Sequence, residues 1–165
     1  MNNYDEVRRA FYSLFRLQIL RAYALNVEVS SIGYGVLEQA MDWKGRMVDW
    51  DWFEIKRKFR NVPARFELAI SIDGVLCGLM IGKPSRGRRH ISAYYLERNP
   101  DHRNPLKGQS TAIFLDGLAL YGLALGCTHA RLIDPLKAVI SRYEQAGFVR
   151  FTKKNRLYCE KSLEN

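Results

Sequence analysis

The chain has 165 residues, 47% of them hydrophobic and 26% charged, enough for one domain to bury roughly 70% of its unfolded surface without a disulfide or a metal. This composition excludes a disordered chain; no apolar run approaches the ~20 residues of a bilayer span, and the opening MNNYDEVRR is too polar for a secretory signal. The net charge of +9 favours acidic partners, whether nucleic acid, a phosphate-bearing cofactor or an anionic membrane surface.

Residues 4–25 read as a helix, because Val7, Phe11, Leu14, Phe15 and Leu17 recur at helical spacing with no Pro or Gly between them. Residues 26–35 hold Ser30-Ser31 and two glycines and read as a turn or loop. A short helix follows over about 36–43. The run DWDWFEIKRKFR starts a helix with Asp49 or Asp51 as its cap. It ends by Asn61-Val62, because Pro63 disfavours helix at the residue before it. FELAISI, Asp73-Gly74 and VLCGLMIG form a hairpin around a two-residue turn. KPSRGRR is a basic loop, HISAYYLE a further strand and RNPDHRNPLKG a loop with two prolines. Residues 109–125 return to helix, stopped by Gly126. ARLID is a short strand. Residues 135–146 form a helix with Pro135 in its first turn and Gly147 at its end. FVRF and RLYCEK pair around TKKN. This order predicts an α/β chain of the α+β type: one domain over residues 1–165, with a central mixed, mostly antiparallel sheet and helices on both faces.

The basic excess falls in 44–65, 83–108 and 149–165, mostly in connections and at the C-terminus. Such charge is either a solvated surface or a docking face for an anion. Cys77, Cys127 and Cys159 are odd in number and form no CxxC pair, which argues against a disulfide framework and a zinc knuckle and for a reducing cytoplasm. His102 and His129 have no partner at ligand spacing, so no metal is expected.

Two stretches carry chemistry. In RNPDHRNPLKGQST, residues 98–111, a strand runs into a loop with Arg103, Lys107 and Gly108, and a helix then opens. The first N–H groups of a helix have no intrahelical partner, and its dipole adds positive potential. Gly108 lets a ligand approach the backbone, and Gln109, Ser110 and Thr111 add donors, so a pyrophosphate can be held without a metal. Alternatively the glycine is plain punctuation. In SRYEQAGF, Tyr143 falls on the stripe Leu136, Val139, Ile140, Tyr143. It is either a core aromatic or a phenol that donates a proton from the rim of the core.

In this order the pieces resemble the GCN5-related N-acetyltransferase (GNAT) family over residues 65–161, about three fifths of the chain. Tyr143-Glu144-Gln145-Ala146-Gly147-Phe148 matches the family's Y-E-x-x-G-F ending at every fixed position, and Asn99-Pro100-Asp101-His102-Arg103 resembles its h-P-(D/E)-x-R. Residues 1–64 then form a variable helical part, and no first strand is evident before Tyr4. The family's R/Q-x-x-G-x-G/A is altered: four residues, Asn104 to Lys107, separate Arg103 from Gly108, and Ser110 replaces the last small residue. The resemblance therefore shifts Arg103 relative to a pyrophosphate and gives its work to Lys107. Gly117 and Gly122 inside a helix imply close packing on the sheet or on a cofactor.

The resemblance implies an N-acetyltransferase that uses acetyl-CoA as cosubstrate. The backbone from Leu96 to Arg98 would pair with the pantetheine arm, and Lys107, Gly108, Gln109, Ser110 and Thr111 would hold the pyrophosphate. An amine would attack directly, and Tyr143 would protonate the leaving thiolate. Glu97 is the first candidate for the base, ahead of Asp101 and His90. The acceptor is an amine on a protein or small molecule. Basic loops at Lys56-Arg57-Lys58-Arg60, Arg86-Arg88-Arg89 and Lys153-Lys154-Arg156 suit an anionic one, RNA and aminoacyl-tRNA included. Trp43, Trp50, Trp52 and Phe53 form either an acceptor wall or helix packing. The alternative is an inactive GNAT-like module that docks nucleic acid or a protein. The oligomeric state, monomer or homodimer, stays open.

Overall fold

A computed structural model describes residues 3–164. In chain order it contains α1 (Asn3–Tyr23), β1 (Glu28–Ser30), α2 (Tyr34–Asp42), α3 (Trp52–Phe59), β2 (Phe66–Ile72), β3 (Val75–Pro84) and β4 (His90–Arg98). There follow α4 (Ser110–Ala124), β5 (His129–Ile133), a 3₁₀ turn (Lys137–Val139), α5 (Ile140–Gln145), β6 (Val149–Lys153) and β7 (Arg156–Ser162).

The Asp-Gly turn sets the first register. Asp73 and Gly74 have φ of 51° and 78°, the left-handed pair that a twisted two-residue hairpin requires. From there β2 and β3 pair antiparallel, and the sheet grows to seven strands in the order β1-β2-β3-β4-β5-β7-β6. Neighbours are antiparallel except β4 and β5, which are parallel and joined by α4. Two cores result. Phe11 and Phe15 of α1, Phe114 and Leu118 of α4 and Ile140 of α5 are buried with Leu68, Ile91 and Leu132 of the sheet. On the other face Leu37 of α2 and Trp52, Ile55 and Phe59 of α3 cover Leu79 and Ile81. Added Cβ atoms at Gly117 and Gly122 would meet Leu68, Phe15 and Ile91 at 2.5–3.0 Å, so both glycines serve the close seating of α4 on the sheet and on α1.

Two expectations need correction, and one alternative is decided. The stretch 26–35 is not all loop: Glu28–Ser30 form β1, paired with Ala69–Ser71 of β2. Its backbone partners lie about forty residues away in β2, so no local pattern marks it. The sheet's first strand thus follows a helix, α1, instead of preceding the helices. The helix expected over 135–146 is broken, because Leu136 is extended at ψ 131°. Pro135 precedes the break, and only Ile140–Gln145 are α-helical. The cap of α3 is Asp51, whose side chain accepts hydrogen bonds from the Phe53 and Glu54 N–H groups.

One local irregularity positions the rest. Between β3 and β4 the register slips: Ile81 faces Tyr95, and Gly82 faces Ala93, so Tyr94 is an extra residue in β4. Such a bulge bends its strand. Gly82 is what permits it, for a Cβ there would lie 1.8 Å from the Ser92 carbonyl oxygen. Backbone atoms cannot yield as a side chain does. Gly82→Ala is expected to lower stability by on the order of 3 kcal/mol, read as a fall in the urea midpoint. An unchanged midpoint would show that the bulge does not depend on this contact.

Candidate active site

β4 and β5 pair for only four residues, from His90↔His129 to Ala93↔Leu132. Beyond the bulge at Tyr94, Tyr95 to Arg98 keep their partners on β3, and none of Tyr94 to Arg98 has one on β5. β5 ends at Ile133, and Asp134 turns the chain away with φ 49°. The two parallel strands therefore splay, and a cavity of about 530 Å³ opens between them. Leu96, Glu97, Arg98, Lys107, Gly108, Ser110, Thr111 and Tyr143 all border it. Arg103 and Gln109 do not.

The α4 end of the cavity is built by the 99–109 loop. The buried Asn104 side chain donates to the carbonyls of Cys77 and Asn99 and accepts from the Leu106 N–H, which ties the loop to β3. Gly108 stands at φ 87°, with nothing within 4 Å of the place a Cβ would take. Gln109 precedes α4 without a side-chain cap, so the first helical N–H groups remain open to a ligand. The Ser110 hydroxyl is spent on the Leu106 carbonyl. Arg103 is drawn off by Asp101, which its guanidinium meets at 2.9 Å, and is 79% exposed. Lys107 is the loop cation that reaches the cavity. The four-residue spacing before Gly108 thus has a structural consequence.

Tyr143 sits on α5 at 6% exposure. Burial pushes its phenol up to about 12, opposed by the nearby charge of Arg98. Among the described residues none hydrogen-bonds this hydroxyl. Arg98 is held below its ordinary value by burial and then by Arg142. The Tyr143 side of the cavity is therefore cationic.

Glu97 has a different environment from the one a base requires. It is 7% exposed. Arg46 donates to both of its oxygens at 2.7 Å, and the Trp52 indole N–H adds a third bond at 2.7 Å. Arg46 also donates to the Trp50 carbonyl. Three of the carboxylate's roughly four acceptor sites are thus filled, and its charge is paired by Arg46. Its work is to fasten the 43–51 loop to β4, and that loop lends Gly45, Met47, Val48 and Trp50 to the cavity wall. The partner of Glu97 is thus Arg46 and not the adjacent Arg98. Asp101 and Asp134, the other carboxylates on the wall, pair with Arg103 and Arg156. His90 lies at the far end of β4 and does not border this cavity. The four aromatics of the N-terminal half divide: Trp52 is fully buried, whereas Trp50 lines the cavity and meets Tyr95 edge-on at 5.1 Å.

Sequence reasoning missed Arg46 and Arg142. A glutamate inside the apolar strand HISAYYLE signals that some cation must follow it into the interior, but nothing local says which. Arg46→Ala is expected to lower stability by about 3–5 kcal/mol, since it strands a buried carboxylate. Arg103→Ala, which opens only a solvent-exposed pair, should leave the urea midpoint where it is. Equal effects of the two would remove the special standing of Glu97.

At the level of sequence no protein-family model matches the chain, and neither does any curated protein. Solved structures do match it. Ard1 from Thermoplasma volcanium aligns over 86% of this chain and 100% of its own, with a TM-score of 0.66 and 13% identity. The ribosomal-protein-S18-alanine N-acetyltransferase from Escherichia coli aligns over 84% and 95%, at 0.59 and 15%. The PaiA N-acetyltransferase from Thermoplasma acidophilum, solved in complex with coenzyme A, aligns over 84% and 99%, at 0.57 and 14%. The splayed sheet described above is accordingly the fold of the GNAT acetyltransferases.

Proposed function

We propose that the protein transfers an acetyl group from acetyl-CoA to an amine. The observation that carries this reading is the convergence, in one cavity, of the unpaired β4 edge, the uncapped start of α4 and the Tyr143 hydroxyl. The three suit three parts of one molecule. An amide-bearing arm extends along Tyr94 to Arg98 as a strand would. A pyrophosphate takes the open N–H groups at the start of α4, the Gln109 N–H being spent on the Leu106 carbonyl, with Gly108 and Lys107 beside them. The thioester end then lies near Tyr143. Acetyl-CoA, when bound, supplies an activated acyl group.

The side chains define what the protein itself does. A thiol of ordinary pKa about 8.5 is a stronger acid than a phenol raised to about 12. The Tyr143 hydroxyl therefore acts first by donating a hydrogen bond to the departing sulfur. Arg98 and Arg142 stabilise the negative charge that gathers there. No carboxylate on the wall is free to take the amine's proton, because Glu97, Asp101 and Asp134 are each ion-paired. The proton leaves through water at the open mouth. Trp50 and Met47 of the 43–51 loop wall the side from which the amine enters.

Two measurements test this. Millimolar acetyl-CoA should raise the melting temperature, since a ligand at 100 times its Kd adds about 2.7 kcal/mol. Gly108→Val should abolish that rise while itself lowering stability by only about 1–3 kcal/mol for its left-handed backbone. A folded protein whose melting temperature ignores acetyl-CoA would end the reading. Tyr143→Phe should retain the acetyl-CoA shift and lose about 10²–10³-fold in turnover with an amine acceptor, the loss of one donor to developing charge. Wild-type turnover in that variant would reduce Tyr143 to a core aromatic.

A further inference from the structure

The second face of the sheet is only half covered. The registers of β4, β5, β7 and β6 place alternate residues on opposite sides. Ile91, Ala93, Ala130, Leu132 and Cys159 enter the core beneath α4 and α5. Ser92, Tyr94, Arg131, Tyr158, Phe151 and their neighbours face the other way. There α2 and α3 bury Leu79 and Ile81 of β3, with Tyr94 and Tyr95 at their margin, and the apolar cluster extends no further. On the remaining strands the rings are half-buried. Phe151 and Tyr158, directly opposed across β6 and β7, stack at 5.1 Å with 17° between their planes. The Arg131 guanidinium lies over both, at 5.4 and 5.1 Å, and Lys83 lies over Tyr94. Lys83, Tyr94, Arg131 and Tyr158 border a cleft of about 430 Å³, with Arg86 and Arg156 on its wall and Phe151 beside it, behind Tyr158. No carboxylate lines it among the described residues; Glu160 and Asp134, outside it, pair with its Arg131 and Arg156. Lys83 and Arg86 have no carboxylate partner among the described residues.

We infer that this face binds single-stranded nucleic acid. Aromatic rings interleaved with cations on an open strand face match both parts of such a ligand. Bases stack on rings and on guanidinium planes, and phosphates need the surplus cations. An acidic peptide would use the cations and leave the rings idle. A duplex would hide its bases and use only the charge. The inference does not depend on acetyl transfer. The two sites do adjoin, since Tyr94 and Ile133 border both the cleft and the splayed cavity. A strand seated on this face would end beside the acceptor entrance.

The test uses the full chain and a fluorescein-labelled, mixed-sequence single-stranded RNA of about 12 nucleotides, read by anisotropy. Binding is expected at low salt. It should weaken roughly tenfold or more between 50 and 200 mM salt, as neutralising about three phosphates predicts. Phe151→Ala with Tyr158→Ala should weaken it by roughly tenfold or more. Lys83→Ala with Arg86→Ala, which touches only the rim, should weaken it and flatten the salt dependence. Because the ring variant can unfold, the wild-type protein is also irradiated with 5-iodouridine RNA, and the crosslink should map to Phe151, Tyr158 or Tyr94. No binding at 50 mM salt would overturn the inference. So would equal affinity for the duplex or for polyglutamate, a folded ring variant of wild-type affinity, or a crosslink elsewhere. Because acetyl-CoA binding is measured separately, failure here leaves the catalytic reading standing, and the converse holds.

Discussion

The structure turns on a single close approach of backbones. At Gly82 the β3 chain passes the Ser92 carbonyl with no room for a Cβ, and Tyr94 is squeezed out of register opposite it. β5 ends one residue after its last pair with β4, and Asp134 turns the chain away. The bulged β4 parts from β5 after Ala93, and along Tyr94 to Arg98 the backbone groups aimed away from β3 have no strand to meet. Buried backbone groups left unpaired are costly, so this edge persists only because the cavity beside it is open. The same divergence brings α4 and α5 to the two sides of one opening, since each follows one of the parted strands.

Two buried carboxylates then fasten the N-terminal part onto this frame. Glu67 of β2, 1% exposed, receives Lys56 of α3 at 2.6 Å and the Ile32 N–H at 2.8 Å. Glu97 of β4 receives Arg46 and Trp52. Between them they anchor both ends of the segment from the 43–51 loop through α3. Burial pushes the Glu67 carboxyl upward, but Lys56, the Ile32 amide and Arg65 more than reverse it, and the group sits below the usual carboxylate range. A carboxyl depressed on folding stabilises the protein above its unfolded pKa, and that stabilisation fades as pH falls through the folded value. Acid thus loosens the attachment of α3. The two glutamates are alike in burial, and each is held by a cation and by an N–H donor.

The parts of this arrangement that are local in sequence were open to reading. Asp73-Gly74 announces its hairpin because the turn chemistry is complete in two residues. Asp51 announces α3 because capping acts within three residues. Gly117 and Gly122 announce a close contact, though not with what. The parts that failed are tertiary. β1 has only three residues, and its pairing with β2 is decided forty residues away. Pro135 suits a helix start by its own dihedral, yet the chain must first leave β5 and clear Asp134, so the helix is deferred to Ile140. The cavity residues divide in the same way. Lys107, Gly108 and Thr111 come with the loop-to-helix step itself, and the long spacing that sets Arg103 apart is legible too, though its capture by Asp101 is not. Arg46 carries no local mark at all.

The positive charge read from composition is therefore sorted by the fold into two kinds. Arg46, Lys56, Arg65 and Arg8 are spent inside, on Glu97, Glu67 and Asp5. Others converge on the two openings of the sheet. Lys107, Arg98 and Arg142 border the splayed cavity, and Lys83, Arg86 and Arg131 border the cleft on the half-covered face. Tyr94 stands between the openings and borders both. It is also the residue that the bulge displaces. The irregularity that parts the strands therefore also sets a shared wall between two cation-lined spaces. A change in how Tyr94 sits is bound to be felt on both sides of the sheet.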